Sequence, residues 1–407
     1  MKIKSFLAVL LTLCLLLPAA SFAGAAEPVT VEFWHAMSGG LQDALVALTD
    51  KFNLENGMGI TVNLTNQGGY GDLSTKLLGA VASDTLPDMA QVYDSWIVGS
   101  LDAVTPLDDF IAKDFDNYDD ILEAYRKEGS EFGPVYTIAF NKSCQVFFYN
   151  KTEFESLGLK APATWDELAA VSKTIYEATG KPVYGYDDLF GMFMQYVLQA
   201  GGQFIQDGKV LFNSDAGLSA MTYLLNAYSK GYARTAGEDK YLSGPFNNGD
   251  VFAYIGSSAG AAYVKPNGFT YGAAPLPKGV AGAAPQAGTN LAMFAKDQAK
   301  KAAVWEYIKF LTSTESTVQW AIATGYLPIR TSGYESAEYQ AYMANSEVAQ
   351  SCYAQVADQY FEKAYPGSQE IRTTLATAME TAILENMAPE AALADLAQKA
   401  QEILDRQ

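Results

Sequence analysis

From Val29 onward, short apolar runs alternate with longer stretches in which apolar residues recur at helical spacing. Val29–Trp34 has the texture of a strand, and Gly39–Asn56 then sets Leu41, Leu45, Leu48 and Phe52 along one helical face. Ile60–Asn66 reads as a second strand. The loop Gly68-Gly69-Tyr70-Gly71-Asp72 opens a helix over Leu73–Ala82, and Pro87–Tyr93 gives a third strand. This βαβαβ start is the signature of a layered α/β protein. Its loops fall at the carboxyl ends of parallel strands, where open α/β sheets bind ligands.

Near residue 136 the pattern changes. Tyr136–Phe140 and Gln145–Tyr149 are strand-like, and the polar Asn141-Lys142-Ser143 between them suits a crossing from one domain to another. Thr164 is placed to cap a helix, with Glu167 completing a capping box. Val251–Ile255 follows the turn Asn247-Asn248-Gly249-Asp250 as a strand. Gly279–Gly288, rich in Gly, Ala and Pro, reads as a linker or a second crossing. Thr289–Leu311 predicts a strand and then a helix carrying Ala302, Trp305, Ile308 and Leu311. Pro389–Arg406 predicts a last amphipathic helix with proline in its first turn.

The amino terminus adds a compartment. Lys2 and Lys4 precede an apolar run from Phe6 to Leu17, Pro18 breaks it, and small residues follow through Ala26. This is a secretory signal peptide over residues 1–25, too short to span a bilayer. Cys14 follows a leucine rather than a small residue and belongs to the apolar run, so a soluble periplasmic product is expected. The remaining chain of roughly 380 residues exceeds what one hydrophobic core serves, which predicts two domains.

Charge and cysteine usage exclude several classes. The 27 Lys and Arg stand against 46 Asp and Glu, a formal charge of −19 that becomes −21 without Lys2 and Lys4. Nucleic acid and anionic membrane surfaces both need a basic footprint, so neither is an expected partner. Cys144 and Cys352 survive cleavage, and spacing alone does not establish a disulfide between them. One histidine, His35, and two distant cysteines make no metal-ligand cluster, and no cofactor is expected.

The sharpest enzyme-like motif is Gly256-Ser257-Ser258-Ala259-Gly260, a G-x-S-x-G after a strand. In an α/β-hydrolase Ser258 would be the nucleophile. His35 lies upstream of it, however, whereas that fold places its histidine last. The 46 acidic residues offer many carboxylate pairs for glycoside chemistry, and no spacing singles one out. The chain is therefore expected to catalyse nothing. Its 25 Tyr, 21 Phe and 5 Trp suit a cleft that grips a polar ligand as well as a core.

Several short motifs fall in a telling order: Phe33-Trp34-His35-Ala36-Met37-Ser38-Gly39, Gln91-Val92-Tyr93-Asp94, Phe140-Asn141-Lys142-Ser143, Thr164-Trp165-Asp166-Glu167-Leu168, Phe246-Asn247-Asn248-Gly249-Asp250, Thr324-Gly325-Tyr326-Leu327-Pro328-Ile329 and Gln369-Glu370-Ile371-Arg372. From Val29 to the carboxyl terminus the chain thereby resembles the family 1 extracellular solute-binding proteins of ABC importers. The Phe-Trp-His start and the late arginine point to their glycerol-3-phosphate-binding branch. The resemblance implies the two-lobed periplasmic binding protein fold (type II), with hinge-crossing strands and closure on ligand. It divides the chain into an amino-terminal lobe (26–138 and 287–330) and a carboxyl-terminal lobe (139–286 and 331–407). It implies a monomer whose partners are a small-molecule solute and the membrane permease subunits of the importer.

Ligand positions transfer one at a time. Tyr70 corresponds to a binding tyrosine after the second strand, and Asp94 stands where the branch has a glutamate. Ser143 and Ser257 fall on binding serines, Gly288 on a glycine whose N–H approaches the ligand, and Tyr326 on a binding tyrosine. Arg372 matches the arginine expected at the phosphate, and Trp34 is a candidate aromatic wall. A guanidinium fork, hydroxyls and a free N–H suit a phosphate, while a carboxylate and an aromatic face suit glycerol. The chain departs from the branch at Phe190 and Phe193, where tryptophans stand, at Cys144 for threonine, and at Lys142. The implied ligand is glycerol-3-phosphate or a glycerophosphodiester; a sugar or oligosaccharide binder shares the architecture.

Overall fold

The computed structural model describes residues 28–407, so the expected signal peptide, with Lys2, Lys4 and Cys14, lies outside the described residues. In chain order the strands are β1 (Val29–His35), β2 (Ile60–Asn66), β3 (Met89–Val92), β4 (Thr137–Ala139), β5 (Ser143–Asn150), β6 (Tyr184–Tyr186), β7 (Ile205–Gln206), β8 (Lys209–Val210), β9 (Ala233–Thr235), β10 (Ala253–Ser257), β11 (Tyr271–Ala274), β12 (Ala284–Ala287), β13 (Asn290–Met293) and β14 (Gln359–Tyr360). The helices that matter here are α1 (Gly39–Glu55), α2 (Tyr70–Ser83), α3 (Asp94–Ile97), α4 (Glu123–Gly129), α5 (Trp165–Thr179), α6 (Leu189–Gln199), α7 (Gln298–Leu311), α8 (Thr314–Thr324), α9 (Glu347–Ala354), α10 (Ser368–Leu384) and α11 (Pro389–Leu404).

Two sheets organise two α/β lobes. The first runs β2-β1-β3-β13-β4, with β1 parallel to β2 and β3, and β13 antiparallel to β3 and β4. The second runs β14-β12-β5-β10-β6-β9, with β11 paired to β5. Alternation sets the faces of β1: Val31, Phe33 and His35 point inward, whereas all of central β3 is buried, as expected of a strand covered on both sides. Leu45, Leu48 and Phe52 of α1 join Val31, Phe33, Trp305 and Ile308 in the first core. Phe147, Leu168, Phe193, Leu375 and Leu396 anchor the second.

Three expected elements shift for local reasons. Helix α2 starts at Tyr70 rather than Leu73, because Asp72 accepts from the Gly69 N–H (2.9 Å) and pulls the Gly-Tyr-Gly loop into the first turn. At α5, Thr164 Oγ1 accepts from Glu167 N (3.2 Å), but Glu167 accepts from Ala163 N (2.7 Å), one residue before the position a capping box requires. The Gly279–Gly288 stretch is part strand, since β12 pairs there with β5. Phe190 and Phe193, two of the positions that depart from the branch, are buried in the second core against Phe204 and Phe212. That leaves Gly191 and Met194 as the face of α6 turned to the cleft.

The chain passes between the sheets at 140–142 and again at 288–289. A third passage follows α8, where Trp320 packs in the first core and Val318 and Ala321 pack with Leu327 and Tyr334 near the second sheet. Two passages touch at Gly288, whose φ is +95° and whose Cβ, if present, would sit 1.8 Å from the Asn141 carbonyl oxygen. Only glycine fits both constraints. No described helix is long and apolar enough to cross a membrane.

Candidate functional site

A cleft of about 600 Å³ opens between the lobes. The first lobe supplies Tyr70 from the start of α2, and Tyr93, Asp94 and Trp96 from the turn into α3. The second lobe supplies Asp188 and Gly191 at the start of α6, Tyr360 at the end of β14 with Phe361–Lys363 after it, and Gln369 and Arg372 from α10. Gln145 and residues 285–288 line it from the crossing strands. Tyr70 and Asp94 thus come from loops at the carboxyl ends of the parallel strands β2 and β3, as the βαβαβ start predicts. A depression of about 770 Å³ around Phe52, Asp114 and Arg330 lies away from this cleft and contains none of the expected residues.

Of the eight expected residues, Tyr70, Asp94, Gly288 and Arg372 line this cleft together. Tyr326 stands behind Tyr70, its hydroxyl 3.3 Å away and its ring stacked on Trp320. Ser143 and Ser257 are hydrogen-bonded to each other (3.0 Å) and are not among the lining residues. Trp34 is not either; it packs with Leu73, Leu77, Ala90 and Val92 against the sheet. Strand pleating puts Trp34 on the face of β1 opposite Phe33 and His35, and Trp96, which does line the cleft, packs against the same cluster.

Arg372 is already held by the protein. Its guanidinium forms ion pairs with Asp188 and Glu362 and lies 5.0 Å over the Phe190 ring. Burial lowers its basicity, but the two carboxylates more than offset that, and it remains a cation. Burial raises the Glu362 carboxyl above its ordinary range, against the pull of Arg372. Asp188 doubles as the N-cap of α6, accepting from Gly191 N at 3.0 Å. Across the cleft, Asp94 accepts from Thr137 Oγ1 (3.0 Å) and Asn290 Nδ2 (3.2 Å). Burial, with the nearby Glu128 charge, pushes its carboxyl up to about 7, while Lys142 and the two hydrogen bonds pull the other way.

Lys142 is fully buried and donates to Glu128 Oε2 (2.6 Å), which also accepts from Gln286 Nε2 (2.8 Å). The lining carboxylates Asp94, Glu128, Asp188 and Glu362 thus outnumber the lining cations Lys363 and Arg372. Tyr93 packs edge-on against Tyr70 and Trp96, Tyr70 and Trp96 are tilted, and with centroids 5.0–6.3 Å apart the three form an aromatic wall. Motif reading missed Tyr93, Trp96, Glu128, Asp188 and Tyr360–Lys363. The signal available was the dense mix of aromatic and charged residues in short aperiodic stretches such as Tyr360-Phe361-Glu362-Lys363.

The enzyme-like features are occupied structurally. Ser258 Oγ is fully buried and accepts from Cys144 N (3.4 Å). His35 is buried at the end of β1, its Nδ1 accepts from Met37 N (3.2 Å), and burial lowers its pKa to about 4. Neither is placed to work on a substrate.

A family model described as bacterial extracellular solute-binding protein matches residues 47–347. The chain is 26% identical over 347 residues to the sn-glycerol-3-phosphate-binding periplasmic protein UgpB of Pectobacterium atrosepticum, covering 79% of this chain and 78% of that one. The Salmonella typhimurium protein of the same name is 27% identical over 349 residues, 79% of each. Among solved structures, Mycobacterium tuberculosis UgpB in complex with glycerophosphocholine aligns with a TM-score of 0.82 at 25% identity, over 93% of this chain and 99% of that one. The cyclic alpha-maltosyl-1,6-maltose binding protein of Arthrobacter globiformis aligns with a TM-score of 0.83 at 25% identity, over 93% and 100%. Two α/β lobes around a polar, aromatic-walled cleft and a family match across most of the chain lead to one assignment: the chain belongs to the bacterial extracellular solute-binding proteins, as the solute-binding component of an ABC importer.

Proposed function

We propose that this chain captures a glycerol phosphate ester in the periplasm, a glycerophosphodiester in preference to the monoester, and hands it to the importer's permease. The observation that carries this reading is Arg372, a cation that lines the same cleft as Asp94, Tyr70 and Gly288. A guanidinium suits a phosphate, while a carboxyl and a ring suit a glycerol end. The relatives named for sn-glycerol-3-phosphate and the neighbour holding glycerophosphocholine support the same class.

The acidic setting argues for the diester. A phosphate reaching Arg372 meets Asp188 and Glu362 on the same guanidinium. A diester carries one negative charge, a monoester near pH 7 up to two, and repulsion grows with that charge. Ser143, Ser257 and Tyr326, one layer behind the lining, are proposed to join the ligand when the lobes close. The closing bodies are the lobes of residues 26–138 with 287–330 and 139–286 with 331–407, and Trp34 is proposed to support the aromatic wall from behind.

One observation favours a second reading. With Arg372 already paired to two carboxylates and Tyr70, Tyr93 and Trp96 lining the cleft, a neutral oligosaccharide would need to displace no ion pair, and the Arthrobacter globiformis neighbour is named for a sugar. Calorimetric titration with glycerol-3-phosphate, glycerophosphocholine and maltose separates the two. The expected result is binding of glycerophosphocholine that weakens about 10–100-fold in Arg372→Ala, the range of a charge-assisted hydrogen bond. Tight maltose binding indifferent to that substitution overturns the phosphate reading.

A further inference from the structure

Outside the cleft, two sulfurs meet. Cys144 is the second residue of β5 and Cys352 lies on α9, and both side chains are buried. Their Sγ atoms are 2.6 Å apart although 208 positions separate them in sequence. Bringing them to the bonded distance of about 2.05 Å requires a shift of about half an ångström, within what two side-chain rotations absorb. The pair belongs to a buried cluster with Val146, Leu327, Tyr339, Val348 and Ala349, and the polar side chain that reaches it is neutral: Gln355 Nε2 donates to Cys144 Sγ (3.5 Å).

The chemistry of such a pocket narrows the roles available. A nucleophilic or metal-binding cysteine needs a thiolate, which an apolar pocket disfavours; burial pushes the Cys352 thiol well up. Among the described residues there is no group of three or more His, Cys, Asp or Glu that could hold a metal. A disulfide, by contrast, is uncharged and costs nothing in desolvation there. Members of an extracellular family also work where disulfides form and persist.

We propose that Cys144 and Cys352 are joined as a disulfide in the exported protein, stapling the first hinge strand to α9. One Sγ–Sγ bond forms and two S–H bonds break. The two electrons and two protons pass to a thiol–disulfide oxidant, whose own disulfide becomes two thiols through a mixed-disulfide intermediate. Because both sulfurs are buried in the folded chain, this exchange takes place before α9 packs onto β5. The bond acts where closure is organised: Cys144 is in register with Gln286, and Ser143 with Ala287, immediately before Gly288. It therefore fixes the carboxyl-lobe end of the crossing, next to residues 140–142. The proposal rests on export and on these contacts, and is independent of the ligand.

The test uses the full chain, exported in a bacterial host and denatured in guanidinium with an alkylating agent but no reductant, followed by peptide mapping. The expected result is a linked Cys144–Cys352 peptide pair that carries no alkyl group until a phosphine reductant is added. Both peptides alkylated before reduction overturn the proposal. Wild-type protein refolded and held under the phosphine gives a second readout that needs no substitution. Its Tm is expected to fall by about 3 °C or more, because a loop this long is costly to close in the unfolded chain. An unchanged Tm overturns the stapling role.

Discussion

The Asn141 side-chain amide donates to the Tyr70 hydroxyl over 3.0 Å, tying the first crossing between the lobes to the cleft wall. The same side chain's Oδ1 accepts from the Thr289 N–H (3.3 Å) and hydroxyl (2.5 Å) on the second crossing. One buried asparagine therefore joins both crossings and a cleft tyrosine, so hinge and site are a single polar network.

Asn141→Ala leaves the Thr289 N–H and the Tyr70 hydroxyl without this partner in a buried setting. The expected cost is about 1–3 kcal/mol of stability, the desolvation penalty of an unpaired polar group. Urea unfolding measures it, and an unchanged midpoint would show that the network does not stabilise the hinge. Gly288→Ala is expected to be worse, since the added carbon overlaps the Asn141 carbonyl.

Lys142 and Glu128 form a pair in which the lysine is wholly buried and the glutamate nearly so. Removing the carboxylate alone, as in Glu128→Leu, strands the ammonium and is expected to destabilise by about 3–5 kcal/mol. Lys142→Met with Glu128→Gln together are expected to recover most of that loss. A double mutant that is no more stable than Glu128→Leu would contradict the pairing argument.

Stability should fall as pH rises through neutrality. Asp94 and Glu131 are pushed up to about 7 and about 8, each by burial first. Between the ordinary carboxyl range near pH 4 and those values, the folded state holds protons that the unfolded chain has released. That contribution is complete below pH 4 and is lost as pH climbs through 7 and 8. Denaturant stability at pH 6 and pH 8.5 checks the sign, and Asp94→Asn is expected to reduce the difference between them.

Asp188→Asn keeps an oxygen to cap α6 but removes one charge from Arg372. If the ligand is a phosphate ester, its affinity is expected to rise about fivefold, as roughly 1 kcal/mol of repulsion is relieved. Calorimetry at two salt concentrations checks this. An affinity that falls, or does not respond, points to a neutral ligand.

Local elements were legible where one interaction dominates. Ile60–Asn66 and the helix after Ser38 follow directly from the spacing of Val62, Leu45, Leu48 and Phe52, because burying one face decides both elements. The start of α2 was not legible, since it depends on one carboxylate turning back to Gly69. The family resemblance brought Tyr70, Asp94, Gly288 and Arg372 into consideration, and these four line one cleft. Their neighbours Asp188 and Glu362 carry no local signature, because each matters only through Arg372, which lies 184 and 10 positions away.

By itself, then, the sequence determined the α/β layering, the polar crossing at 141–143 and the set of residue types a polar ligand needs. Periodicity and glycine placement are local, and one chain records them position by position. Tertiary structure alone decided that Arg372 is shared between two carboxylates, that Trp34 and the serines stand back from the cleft, and that Cys144 meets Cys352. Each of these is a contact between distant segments, set by how two sheets pack against three passages of chain, and no spacing in the sequence encodes it.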